Sequence, residues 1–147
     1  MWEDILLNVA VEPEVLRRAV AQVLGCPMAQ VRHLDAGSLT LAVGRAVDGA
    51  VLLETTPTEG DFALRVTVYI RDETLLARLR SRAATSEAVT HLASLLEVRC
   101  LIADDELDPY RWVLITPEGA VQVVRLDAAE FERDRVVLVP RQVRSAA

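Results

Sequence analysis

Between residues 38 and 71 the apolar positions recur at every second residue, and on either side of that stretch they recur at every third or fourth. This change of period predicts strands in the middle flanked by helices. Side chains alternate faces along a strand and share a face at i, i+3 and i+4 along a helix. The clearest strand is 62–70, where Phe62, Leu64, Val66, Val68 and Ile70 alternate with Ala63, Arg65, Thr67 and Tyr69. One face is apolar and the other largely polar, the pattern of an antiparallel sheet covered on one side. Leu39, Leu41, Val43 and Val47 predict a strand before it. The Asp48-Gly49 pair then turns the chain into a return strand at 50–56, because both central positions of such a turn need positive φ. Residues 57–61, PTEGD, form a further turn.

Helical spacing appears first at Leu16, Ala19, Val20, Val23 and Leu24. Pro13 suits a first turn, Glu12 and Glu14 sit at its positive end, and Gly25 with Pro27 stops it, which predicts a helix over 13–24. A strand at 5–11 precedes it and a short strand at 30–34 follows. Asp72 caps a second helical region that runs to about Glu97, with one stripe at Leu75, Leu76 and Leu79 and another at Ala88, Leu92, Leu95 and Leu96. The stretch SRAATSE between the stripes predicts a break, with Thr85 or Ser86 capping the second part. Strands are expected at 98–103, 111–116, 120–126 and 135–139, with a short helix from Asp127 to Phe131, and 140–147 as a tail. Runs of strands broken by two helices predict an α+β domain over 1–139. It has a mostly antiparallel sheet and two main helices on one face.

Composition narrows the function. The chain of 147 residues is 52% hydrophobic and 26% charged, a globular balance. Its net charge of −6 argues against duplex nucleic acid, which needs a concentrated basic face. No stretch approaches a membrane span, and Glu3 and Asp4 stand where a signal peptide carries positive charge. The two cysteines, Cys26 and Cys100, form no CxxC pair, so a reduced, cytoplasmic protein is expected. The arginines at 78, 80 and 82 would spread around a helix and read as a solvated face. His33 and His91 lack ligand-spaced partners, the glycines draw no phosphate loop, and neither cysteine has a cationic setting. The expectation is a non-enzymatic protein without metal or cofactor.

The unusual feature is CLIADDELDPYRWVLI, residues 100–115, in which two apolar runs flank Asp104, Asp105, Glu106 and Asp108. A calcium loop would need Gly where Pro109 stands and Glu where Ile115 stands, so that reading fails. Four acids at a turn are either a solvated tip or an electrostatic docking site for a basic partner. Tyr110 follows directly and could supply a buried anchor, since Tyr is favoured in interface hot spots. Trp112, on the same face, reads as core. Trp2, Glu3 and Asp4 repeat the aromatic-plus-acid composition.

A helix, an apolar strand into DDELDPYRWVLI, a turn in PEG and a closing VQVVRLD together resemble the C-terminal half of small uncharacterised bacterial proteins, among them immunity proteins of polymorphic toxin systems. The resemblance spans the last third of the chain and carries no catalytic motif. It implies a cytoplasmic, acidic inhibitor that blocks a cognate toxin. A secretion-type chaperone for an effector and an enzyme with a dispersed site are the other two readings. A chaperone of that kind begins and ends with a helix, whereas this chain begins and ends with strands. The expected partner-binding residues are Asp104, Asp105, Glu106, Asp108 and Tyr110.

Overall fold

The computed structural model describes residues 2–34, 49–104 and 107–140. The strand expected at 39–47, the acids Asp105 and Glu106, and residues 141–147 of the tail lie outside the described residues. The elements, in chain order, are β1 (Glu3–Leu7), α1 (Pro13–Leu24), β2 (Val31–Leu34), β3 (Val51–Pro57), β4 (Glu59–Gly60) and β5 (Leu64–Ile70). They continue with α2 (Glu73–Arg78), α3 (Arg82–Leu96), β6 (Cys100–Ala103), β7 (Arg111–Ile115), β8 (Val121–Arg125), α4 (Ala128–Phe131) and β9 (Arg135–Val136). Among them, seven strands form one sheet in the order β2-β3-β5-β1-β6-β7-β8, antiparallel except for β2 beside β3. The fold is α+β with a mostly antiparallel sheet.

The first strand is central and not peripheral. Ile5 pairs with Val66 on β5 and with Ile102 on β6, so β1 lies between the two halves of the chain. It begins two residues earlier than its apolar run and stops at Leu7, where Asn8 turns away. The Asn8 N–H donates to the Arg99 carbonyl and its Oδ1 accepts from the Arg99 N–H, so Asn8 ties the strand end to the next element.

Helices α1 and α3 pack against each other and against one face of the sheet. There they bury Ile5, Leu7, Val51, Leu53, Val66, Val68, Cys100, Ile102 and Ile115 beneath Leu16, Val20, Val89 and Leu92. The expected spacing of 13–24 holds, and Gly25 closes α1 in the left-handed region at φ 68°, which a residue without Cβ enters at little cost.

Three expectations about the sheet need correction. The second face is not simply polar, because in mid-sheet it carries Leu6, Leu101 and Leu114, which pack with Phe62, Leu126 and Val136 into a second apolar cluster. Consecutive buried residues such as Leu101 and Ile102 are the pattern of a strand covered on both sides. Phe62 therefore belongs to this second cluster and not to the alternation of β5, which begins at Leu64; the chain bends at Asp61. The turn at 57–61 also contains β4, which pairs in parallel with β9. A Cβ at Gly60 would collide with the Val136 backbone, and its φ of 102° suits glycine.

The helical break falls at 79–81 and its cap is Ser81, whose Oγ accepts from the Ala84 N–H at 3.1 Å. Thr85 has another task. Buried in the core, it donates to the Leu79 carbonyl left open by the break, at 2.9 Å, and accepts from Trp2 Nε1 at 3.3 Å. Asp72 caps α2 as expected, with Oδ1 accepting from the Leu75 N–H at 3.0 Å. Among the described residues, no helix is long and apolar enough to cross a membrane.

Val66 is fully buried between its neighbours Ile5 and Thr55. Val66→Asp places an unpaired charge in the core and is expected to destabilise the fold by several kcal/mol. Thermal or urea unfolding checks this, and an unchanged midpoint would contradict the assigned face.

Candidate functional site

The tip stands on three strands. Ala103 at the end of β6 faces Trp112 on β7, and on β8 Val124 faces Trp112 while Arg125 faces Arg111. Two guanidinium groups thus lie directly opposite one another across a strand pair, an arrangement that costs free energy unless anions intervene. Two of the acids do intervene. Asp104 Oδ2 lies 2.8 Å from Arg111 Nε, an ion pair without an aligned hydrogen bond, and Asp108 Oδ2 lies 2.7 Å from Arg125.

Asp108 also shapes the turn. Its Oδ1 accepts from the Tyr110 N–H at 3.0 Å, and its carbonyl accepts from the Arg111 N–H at 3.2 Å. The Tyr110 N–H and then the Arg125 guanidinium hold the Asp108 carboxyl below its ordinary value. Both contacts favour the charged form. The stability they add is therefore present above the unfolded-state value and is lost as pH falls through the lower folded one.

Aromatic contacts brace the tip from the side. Tyr110 meets Phe131 of α4 edge to face, with centroids 5.9 Å apart at 87°, and its hydroxyl donates to Glu132 Oε1 at 3.3 Å. Partial desolvation and the neighbouring Glu132 push the Tyr110 hydroxyl upward, so it stays protonated and a donor. Trp112 lies against the same Phe131 at 6.4 Å, and its Nε1 donates to the Pro109 carbonyl at 2.9 Å. It is half-buried at the margin of the second apolar cluster, not inside the core as its sequence setting predicts. Asp104, Asp108 and Tyr110 are thus brought together at one end of the molecule.

The sequence reading missed Leu107. It lies between the acids in the sequence and is fully exposed, at 103% relative accessibility, so the tip presents an aliphatic side chain to solvent. An apolar residue inside an acidic run was the available signal. Arg111 and Arg125 were missed as well, since only the register shows that they face each other.

Elsewhere, most chemistry-bearing residues among those described have structural partners. Trp2, Glu3 and Asp4 serve the core margin, where Glu3 pairs with Arg82 at 3.4 Å and Asp4 accepts from Thr67 at 2.6 Å. Arg78 reaches the Leu24 carbonyl at 3.1 Å, so the arginines at 78 and 82 tie elements together instead of forming a wholly solvated face. His33 Nε2 is 2.8 Å from Thr55 Oγ1. His91 is exposed in an open groove between α3 and the 117–119 turn, beside Glu87 and Ser94. Among the described residues no hydrogen bond joins His91 to a nucleophile or carboxylate, and no group of His, Cys, Asp and Glu could hold a metal ion. Burial pushes the Cys100 thiol up to about 12 and raises Cys26 too, which disfavours the thiolate at neutral pH.

Arg125→Ala removes one of the contacts that favour the Asp108 carboxylate. Its pKa, followed by carboxyl NMR titration, is expected to rise toward the ordinary range while the rest of the sheet is retained. An unmoved titration would show that Arg125 does not engage Asp108.

No family model, no curated protein and no solved structure matches this chain.

Proposed function

We propose that this chain is a non-enzymatic, cytoplasmic protein-binding protein. In this reading it is an acidic inhibitor of the immunity type, docking on a basic partner through the end of the β6–β7 hairpin. The observation that carries the reading is Leu107, wholly exposed in a tip whose base is held by two ion pairs and by Tyr110 against Phe131. An apolar side chain on a braced turn loses little ordering entropy when it enters a partner's pocket. The net charge of −6 adds attraction to a cationic surface at long range.

The paired acids change how the work is divided. Asp104 and Asp108 set the shape of the tip and supply part of the field, while Leu107 supplies burial. Exposed ion pairs give only about 0.2–1 kcal/mol each, so acids alone would make a weak anchor. Burying a leucine is worth about 1.5–3 kcal/mol.

A photocrosslinking side chain at position 107, activated in the native host, is expected to capture one dominant basic protein. Against that purified partner, Leu107→Ala should weaken binding about tenfold, mainly through faster dissociation. Replacing the four acids by Asn or Gln should slow association and flatten its salt dependence, because exposed charges are screened over about 8 Å at physiological ionic strength. Unchanged kinetics in both variants would leave the tip a solvated turn.

A further inference from the structure

Beside the tip, on the second face of the sheet, a cleft of about 470 Å³ opens between Arg99 and the segment 138–140. That volume lies within the range of roughly 300–1,000 Å³ typical of small-molecule sites. Leu114 and Val124 share this face with Trp112, as the register of β7 and β8 requires. Leu138 and Pro140 form one wall, fixed by the Leu126–Leu138 bridge just past β8 and by the Val139 N–H on the Arg125 carbonyl of β8 at 2.9 Å.

Arg99 forms the opposite wall, and it is held in place. Its backbone N–H donates to Asn8 Oδ1 at 2.9 Å, its carbonyl accepts from the Asn8 N–H at 3.1 Å, and its guanidinium lies 6.0 Å from the centroid of the buried Phe62 ring. Among the described residues no acid pairs with it, although the chain has 22 acidic residues. Arg125 also lines the cleft, but its charge is engaged by Asp108.

We propose that this cleft binds a small amphipathic carboxylate, with Arg99 taking the carboxylate and Leu114, Val124 and Leu138 receiving the aliphatic chain. One uncommitted guanidinium suits a monoanion, and its planar fork matches two carboxylate oxygens. Apart from Arg99, Arg125 and Gln122 the lining is aliphatic and has no aromatic side chain, which suits an alkyl body. The site is separate from the Leu107 tip and stands whether or not the tip docks on a partner.

The test is calorimetric titration of the full chain with octanoate, octanol and octylammonium. Octanoate is expected to bind one per chain, with the other two weaker by about tenfold or more, the value of a charge-assisted pair. Arg99→Gln should reduce octanoate affinity about tenfold and leave octanol unchanged, and Arg99→Lys should recover part of the loss. The melting temperature of each variant separates lost binding from lost fold. Equal affinity for the three ligands, or an Arg99→Gln variant that still binds octanoate normally, would overturn the proposal. So would absence of binding, or binding that emerges only when residues 141–147 are deleted, which would give the cleft to the chain's own C-terminal residues.

Discussion

The rest of the molecule depends on β1 lying between β5 and β6. Ile5, Leu6 and Leu7 are all buried, which is possible only for a strand covered on both faces and paired on both edges. The strands on its one side come from residues 31–70 and those on the other from residues 100–125. Without β1 neither half has its inner edge satisfied, and each would expose a row of backbone donors and acceptors to other chains. The apolar clusters follow from the same placement. Ile5 and Leu7 point to the helices, while Leu6 points to Phe62, Leu126 and Val136.

Coverage is uneven, and this explains where candidate sites lie. Helices α1 and α3 shield the sheet as far as Ile115 on β7, but they do not extend over β8. Val121 and Val123 share a face with Ile115 and Val113, yet each stays about half exposed, at 52% and 50%. On the second face, the segment from Leu126 to Leu138 covers the middle of the sheet and leaves the cleft beside Arg99. Among the described residues, the β6–β8 end is consequently the part of the sheet with accessible apolar surface, and the tip projects from the same strands. Arg125 on the edge strand β8 hinders further edge-to-edge pairing, as charged edge residues do.

Much of this architecture was legible in the sequence because a single period decides a strand or a helix. Leu64, Val66, Val68 and Ile70 announce their face directly, and Pro13 with Gly25 marks both ends of α1. The errors arise where tertiary contacts override local pattern. Ser81 and Thr85 are both competent caps by type, and only the open Leu79 carbonyl decides which hydroxyl goes where. The end of α3 near Glu97, by contrast, was expected, although it closes there in the left-handed region at φ 54° without a glycine. The strand pairing of β1 was invisible, since apolar residues at 5–7 fit an edge or a centre until partners are known.

The acidic tip shows why composition misjudges charge. Four carboxylates in five positions read as an uncompensated field, but charge is compensated in space and not along the chain. Asp104 is paired with a residue seven positions on, and Asp108 with one seventeen positions on. Both partners come to the tip because β7 and β8 return antiparallel to it, and opposing arginines there need anions as much as the acids need cations. The same register that pairs Asp104 and Asp108 sets Tyr110 against Phe131, while Leu107 stays fully exposed. Asp104 and Asp108 hold the base of the tip through their ion pairs, and Leu107, next to Asp108 in the chain, stands in water.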